Sequence, residues 1–366
     1  MRTHITGRQV LQQLKADLIG KDSYRGVTLS YSWLANQFGH ISLGFIPTFI
    51  LFIILSRYAQ ASNPSLLAPL FISGAWLLFE TYNFLGPLLL RKHSRSKVLY
   101  VPGKSAYTFQ PDWRNIAYDT ITDLSFFWFG AFFAALLCEY SLLKLIILLV
   151  IVLALIKPCI YWYPTKIYLQ AAQYPYELRL AQWDNDIHPD DRETVLDFLK
   201  AEEGQHLLIF GGKDCGKASL AVGIATELSI SHHTVVYTTA MKLYNQFFDD
   251  PELTLQNGGS YWSWRNSELL VIDDINPGDP IRPDLVTAEQ FRHYLDTLGS
   301  NPENRKAISR RKVLWVMGSE DPQGECLEGW TSMLTGIGVP PAHIRSVNLP
   351  CALRQDMVLM CETDQV

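Results

Sequence analysis

The stretch His206-Leu-Leu-Ile-Phe-Gly-Gly-Lys-Asp-Cys-Gly-Lys-Ala-Ser219 decides the fold of the second half of this chain. It passes from an apolar run typical of a buried strand, through a glycine-rich turn, into a stretch with helical spacing. The pattern G-x-x-x-x-G-K in this context lets backbone N–H groups and a helix N-terminus surround phosphate oxygens, which the lysine also reaches. We therefore predict a phosphate-binding loop. Its candidate nucleotide-binding residues are Gly211, Gly212, Lys213, Asp214, Cys215, Gly216, Lys217, Ala218 and Ser219.

A glycine-rich turn without a ligand is the alternative, and two further strands argue against it. The apolar run that begins at Leu269 ends in Asp273 and Asp274, which suit magnesium binding and polarisation of an attacking water, respectively. A later apolar run, Lys312–Met317, is followed by Ser319, a small polar residue placed to sense a γ-phosphate. We therefore predict Asp273 as a metal ligand, Asp274 and Ser319 as catalytic residues, and ATP and Mg²⁺ as cofactors.

Apolar runs and helical stretches alternate along the second half of the chain. Such alternation predicts an α/β domain whose parallel sheet is covered on both faces. We place this P-loop nucleotide-binding domain, with a parallel five-stranded sheet, at residues 191–350, after a proline-containing linker at 164–190 and before a tail at 351–366. The remaining predicted strands are Thr234–Thr238 and Ile344–Leu349, and the predicted helices include Asp191–Ala201, Ala218–Ser229 and Ala288–Leu298.

The P-loop and the segment Leu270-Val-Ile-Asp-Asp-Ile275 resemble the initiator and helicase-loader clade of AAA+ ATPases, whose Walker B strand typically ends in Ile-Asp-Asp. The resemblance covers roughly residues 190–350, and the P-loop is its specific part. It implies a five-stranded parallel sheet between helices. It also implies that Lys217 binds phosphate, Asp273 serves Mg²⁺, Asp274 is catalytic and Ser319 is a sensor.

The sequence departs from that family directly after the P-loop lysine. The family has a serine or threonine there, whose hydroxyl ligates Mg²⁺, but this chain has Ala218. Ser219 is one residue further along, and one helical step turns its side chain about 100° away.

A second and a third departure concern hydrolysis and the lid. AAA+ ATPases place an arginine finger before the last core strand, but no Arg or Lys lies between Ser319 and Ile344. Arg310, Arg311 and Arg345 lie nearby, outside that interval. We also expect no helical lid of the kind that usually follows the core, because only 16 residues follow Pro350. We therefore predict nucleotide binding with slow or absent hydrolysis.

The first half of the chain carries long apolar runs, as expected of an α-helical transmembrane bundle at residues 38–163. A helix of about 20 mostly apolar residues crosses a bilayer. A polar N-terminal region, 1–37, contains a helix-like stretch, Val10–Ile19, and lacks a signal-peptide core. We predict four crossings, with three as the alternative count. The four are Phe38–Ser56, Ser65–Leu90, Ile121–Cys138 and Ser141–Tyr163, the last two separated by a tight hairpin.

Basic residues predict the orientation of these crossings. Lys and Arg crowd the segment before the first crossing and the loop after the second, whereas the opposite loops offer only Arg57. This bias places both termini in the cytoplasm, which for a bacterium means the inner membrane. Glu80 lies deep in the second crossing and suits either an ion path or a buried, bundle-facing carboxyl.

These features support three functional hypotheses. The first is a membrane-anchored ATP-binding component of a larger membrane complex; the second is an active oligomeric ATPase that remodels a partner at the membrane, with Arg310 or Arg311 acting in trans. The third is a nucleotide-gated channel or transporter.

The expected partners are membrane lipid and either other proteins or further copies of the chain, and the net charge of −5 makes nucleic acid an unexpected partner. The aromatic stretch Tyr261–Arg265 suits either a contact surface or core packing.

Overall fold

The chain divides into two compact units in the computed structural model. The model describes residues 4–19, 27–89, 107–212, 214–247, 261–275, 287–296, 301–317 and 325–350. The helical unit comprises Thr6–Tyr107 and Pro111–Ile167, and the α/β unit comprises Met1–Ile5, Thr108–Gln110 and Tyr168–Val366.

The described residues of the helical unit include four helices that are long and apolar enough to cross a membrane. The predicted number of apolar helices and the predicted break at residues 139–141 are therefore confirmed. Two of these helices begin earlier than their apolar runs, because Thr28 and Asp112 cap their first turns with side-chain hydrogen bonds. The helices are α1 Gly7–Ile19, α2 Leu29–Arg57, α3 Pro64–Leu89, α4 Trp113–Cys138 and α5 Leu142–Ala171.

Two glycines bring α2 and α4 into close contact. A side chain at Gly44 would collide with the carbonyl of Phe127, and a side chain at Gly130 would collide with the carbonyl of Ile41. Small residues at such crossings let helix backbones approach and pack. Trp76 of α3 then stacks on Phe127, with ring centroids 3.9 Å apart, and joins the third helix to this pair.

A buried carboxylate holds α1 against the rest of the helical unit. Asp17 is 2% exposed, and its oxygens accept hydrogen bonds from Ser30 Oγ at 2.6 Å, Gln13 Nε2 at 2.8 Å and the Tyr163 hydroxyl at 2.9 Å. These donors come from three helices, so the desolvation of the carboxylate is compensated by hydrogen bonds. The predicted helix at 10–19 is confirmed and begins three residues earlier.

The α/β unit contains the predicted five-stranded parallel sheet. Its strand order is β2-β3-β4-β1-β5. Strands β2, β3 and β4 therefore lie on one side of β1, and β5 lies on the other side. The elements are α6 Pro189–Lys200, β1 His206–Gly211, α7 Lys217–Ile230, β2 Val235–Thr239, α8 Ala240–Gln246, β3 Leu269–Ile275, α9 Ala288–Asp296, α10 Asn301–Ser309, β4 Lys312–Met317, α11 Glu325–Gly336 and β5 Ile344–Leu349.

Each face of the sheet packs against its own layer of helices. Side chains alternate along β1, so Leu207 and Ile209 join one core with α6 and α7, and Leu208 and Phe210 join another with α8, α9 and α11. The aromatic stretch at 261–265 belongs to the interior: Trp262 and Trp264 are buried, and the Arg265 guanidinium donates to the Phe247 carbonyl at 3.1 Å.

Part of the predicted linker is ordered against α7. Helix α5 continues to Ala171, and residues 172–188, which we call the strap, follow it. Leu180 and Trp183 of the strap are buried in the α7 core, and Arg179 pairs with Glu227 of α7 at 2.8 Å. The apolar content of the strap explains this packing, since exposed aromatic side chains gain free energy on burial.

Candidate nucleotide site

The loop between β1 and α7 has the backbone conformation of an anion-binding turn. Asp214 and Gly216 have φ angles of 63° and 84°, and Gly211 has a φ of 146°. Left-handed residues in a tight turn direct consecutive N–H groups toward one concavity, and here the N-terminus of α7 follows immediately. The loop lies beside β1, at the switch point of the sheet, where open α/β sheets bind ligands.

The strap supports this loop from one side. The Trp183 indole Nε1 donates to the Gly216 carbonyl at 2.9 Å. A side chain at Gly216 would collide with the Asn185 amide and lie 3.1 Å from the Trp183 nitrogen. Only glycine therefore satisfies both the left-handed backbone and the close packing at this position.

Lys217 folds back over the loop. Its Nζ donates to the carbonyls of Gly211 and Gly212 at 2.5 Å and 2.6 Å. The ammonium thus lies at the loop, where phosphate oxygens would compete for its hydrogen bonds. The residues present fit a bound phosphate group: a left-handed turn, a helix N-terminus and a lysine converge there.

Ser219 and Tyr176 occupy the side of the loop that faces β3. The Ser219 hydroxyl donates to the Gly216 carbonyl at 2.9 Å and also interacts with the Tyr176 hydroxyl of the strap. Burial and the nearby Asp273 raise the pKa of the Tyr176 hydroxyl, against the opposing effect of the interaction with Ser219. Tyr176 therefore stands between the first turn of α7 and the end of β3.

Both carboxylate oxygens of Asp273 are already engaged. Asp273 is 8% exposed; one oxygen accepts the backbone N–H of Asp274 at 2.8 Å, and the other accepts the hydroxyl of Tyr237 on β2. Burial and the adjacent Asp273 charge raise the pKa of Tyr237, so its hydroxyl stays protonated and remains a donor.

Position 218 does not fit a Mg²⁺ ion held in the way that the family resemblance implies, because that arrangement needs a hydroxyl directly after Lys217, where Ala218 stands. At Asp273 an ion would have to share or displace the hydrogen bond from the Tyr237 hydroxyl. The assignment of Asp273 as a metal ligand stays a prediction.

Asp274 presents its carboxylate at the surface at the end of β3. Its φ of 55° turns the chain so that Asp273 points inward and Asp274 is exposed. Desolvation and the neighbouring Asp273 raise the pKa of Asp274. A carboxylate of this kind is suited to accept a proton from a water molecule.

Of the remaining residues, the structure describes the two arginines, and they are not brought to this site. Ser319 and Lys213 lie outside the described residues. Arg310 and Arg311 precede β4 and so lie at the opposite edge of the sheet from the loop, and the guanidinium of the half-buried Arg311 donates to the Ser267 carbonyl.

Sequence reasoning missed Tyr176, Trp183, Asn185 and Tyr237 as residues of this site. Three of them lie in the segment interpreted as a linker, whose aromatic residues were the available signal that it packs against the domain. Tyr237 stands on β2, which pairs with β3 so that Thr239 lies opposite Asp273. That pairing, and not local sequence, brings its hydroxyl to the carboxylate.

Comparisons with known proteins add little to this geometry. No family model matches the chain, and no curated protein matches it. A crystal structure of DnaI is similar at a TM-score of 0.29 and 15% identity, over 50% of this chain and 90% of that one. A superposition this weak carries no argument about function.

Proposed function

We propose that this chain is a membrane-inserted, AAA+-like nucleotide-binding protein in which the loop from Gly211 to Lys217 holds ATP phosphates and hydrolysis is slow or absent. The conformation of the loop is the observation that carries this proposal. Its left-handed residues, its lysine and the following helix N-terminus are the parts that phosphate binding needs.

Slow hydrolysis follows from what surrounds the loop. Asp273 is engaged by Tyr237, and position 218 lacks a hydroxyl. Arg311, one candidate for a catalytic arginine, is half-buried and donates a hydrogen bond to the Ser267 carbonyl. Nucleotide would then act as a ligand that stabilises the α/β unit and its protein contacts, in a membrane complex or in a self-assembly.

Membrane insertion is supported by the four apolar helices and by the distribution of basic residues. In the proposed arrangement the protein crosses the membrane four times and has both termini in the cytoplasm, where ATP is available to the α/β unit.

An active ATPase is the second candidate, and the position of Asp274 favours it. Its exposed carboxylate, with a raised pKa, is a competent acceptor for a proton from water. In this case a neighbouring subunit would supply the missing positive charge.

Nucleotide binding and turnover by the purified full-length protein separate the two candidates. Lys217→Ala should weaken ATP binding at least about tenfold, because it removes the charge that contacts phosphate. Wild type and Asp274→Asn should both show background turnover, and ATP affinity should be similar with Mg²⁺ and with a chelator. Robust turnover that disappears in Asp274→Asn would instead establish the active ATPase.

A further inference from the structure

Three helices of the helical unit contribute polar side chains to one cluster. His40 Nδ1 of α2 lies 3.3 Å from Asp123 Oδ1 of α4, and Gln37 Nε2 donates to the same oxygen at 3.3 Å. The side chains of His40 and Asp123 are 15% and 24% exposed, and Gln37 is 4% exposed. The sequence did not predict the pairing of His40 with Asp123. It placed only the carboxylate of Glu80 deep in a predicted crossing.

Glu80 of α3 belongs to the same cluster. Its carboxyl interacts with the Asn83 side chain of the same helix, and its electrostatic partners among the described residues are Asp123 and His40. The cluster therefore contains two carboxyl groups and one imidazole, and the described contacts of Glu80 include no lysine or arginine that would balance the second carboxylate.

The cluster lies below the aromatic residues at one end of the helices. Trp33 of α2 packs against Tyr163 of α5, and Tyr118 of α4 packs against Trp162 of α5. His40 is seven residues beyond Trp33, about 10 Å along the helix axis at 1.5 Å per residue. Aromatic rings of this kind are enriched at membrane interfaces, so the proposed insertion of these helices places the cluster inside that level, in the apolar part of the bilayer.

The net charge of the cluster depends on how many protons its three ionisable side chains hold. With both carboxyl groups ionised and His40 neutral, the cluster carries two negative charges; protonation of His40 leaves one, and a further proton on a carboxyl group leaves none. Net charge at this depth is costly, so the neutral form is favoured. Among the described residues, no group of three or more His, Cys, Asp or Glu is arranged for a metal ion. Bound protons are the simplest way for these side chains to become neutral at this depth.

We propose that His40, Asp123 and Glu80 form a proton-binding site in the helical unit, which holds two exchangeable protons in its neutral state. The proposal goes beyond the nucleotide site and rests only on the proposed insertion of these helices into a bilayer. The site lies one turn before the α2–α4 crossing at Gly44 and Phe127, where His40 also packs on the Phe127 ring with centroids 4.5 Å apart.

Infrared difference spectroscopy of the full-length protein in lipid nanodiscs tests the site. Spectra recorded while the buffer is changed from neutral to alkaline should show loss of a carboxylic-acid carbonyl band in wild type. The band should be absent in either Glu80→Gln or Asp123→Asn, and His40→Gln should shift the pH at which it disappears. Glu177→Gln, which removes an exposed carboxylate of the α/β unit, should leave the band unchanged.

A purely structural role predicts a different spectrum. If the cluster only joins helices by hydrogen bonds, wild type shows no such band at neutral pH, and that single spectrum overturns the proposal even if a variant fails to fold. A band that persists unchanged in both carboxyl variants also overturns it. Failure of membrane insertion would appear separately, as protein that does not enter nanodiscs.

Discussion

Gly216 shows how one residue position determines the phosphate loop. Its carbonyl accepts hydrogen bonds from the Trp183 indole and the Ser219 hydroxyl, and its φ of 84° turns the chain into α7. The residue is therefore both the conformational pivot of the loop and its contact with the strap. A side chain there would meet two independent obstacles, backbone strain and the Asn185 amide.

Gly216→Ala is expected to abolish detectable ATP binding. Backbone strain alone costs on the order of 1–3 kcal/mol, and the Asn185 amide would also have to move away from the added methyl group. Gly338→Ala is the matched control, because Gly338 has a φ of 102° and open space around its Cβ position. Both variants should be less stable than wild type, but only Gly216→Ala should lose ATP affinity in an equilibrium binding measurement. Equal ATP affinities of the two variants would show that the packing of Gly216 against the strap is dispensable.

His206 makes the α/β unit sensitive to acid. It is fully buried, its Nδ1 accepts the Trp315 indole N–H at 3.1 Å, and burial, together with His343, lowers its pKa to about 3. The unfolded chain binds a proton below about pH 6.5, whereas the folded chain does not. Stability is therefore complete above that pH and falls by up to about 1.4 kcal/mol per pH unit as the pH drops toward 3.

Hydrogen exchange at amides of β1 and β4 measures this effect at matched pH. His206→Gln retains an acceptor for Trp315 and cannot titrate, so its protection should decline less in acid than that of wild type. His188→Gln removes an exposed histidine and should keep the wild-type acid profile. Parallel acid profiles in all three proteins would assign the acid sensitivity to other groups.

At the scale of the elements, the crossing of α2 and α4 organises the helical unit. The reciprocal contacts of Gly44 with Phe127 and of Gly130 with Ile41 fix the separation of the two helices. They also fix their register, which in turn brings His40 opposite Asp123 one turn away. The tight crossing and the polar cluster are thus consequences of the same packing.

Gly44→Ala should destabilise the helical unit, although alanine favours a helix over glycine by about 1 kcal/mol. The added methyl group would collide with a backbone carbonyl, and overpacking of this kind costs on the order of 1–3 kcal/mol. Gly39 lies in the same helix and has open space around its Cβ position, so Gly39→Ala should leave the stability unchanged or increase it. Thermal unfolding in detergent compares the two, and equal transition temperatures would contradict the close crossing.

At the scale of the whole molecule, a segment distant in sequence completes the α/β core. Phe109, only four residues before α4 begins, is 2% exposed in the α/β unit and packs against Trp183 with ring centroids 5.8 Å apart. Trp183 in turn bonds to Gly216 of the phosphate loop. A residue next to a membrane-type helix therefore supports the side chain that holds the loop.

Phe109→Ala is expected to destabilise the α/β unit by about 3–5 kcal/mol, the usual cost of truncating a buried phenylalanine. ATP affinity should also fall, because Trp183 would lose its support, and Phe109→Leu should give an intermediate effect. Amide hydrogen-exchange protection of α7 measures the loss of stability, and equilibrium ATP binding measures the loss of affinity. Unchanged protection in Phe109→Ala would show that this ring does not contribute to the core in solution.

Local sequence patterns were sufficient to predict much of this architecture. Apolar runs of sufficient length predicted four helices, because a bilayer requires such runs. Strand–helix alternation with a glycine-rich turn predicted the parallel sheet, and β4 and β5 lie at their predicted residues. The candidate phosphate loop was recognisable because its residues are contiguous.

The tertiary structure alone decided which distant side chains meet. Pairing of β2 with β3 placed Tyr237 on Asp273, packing of the strap placed Trp183 on Gly216, and the glycine crossing placed His40 beside Asp123. None of these contacts has a local sequence signature, since each depends on elements brought together by burial of apolar surface elsewhere. Periodicity specifies which face of an element is buried, whereas the partner of that face is set by the packing of the whole chain.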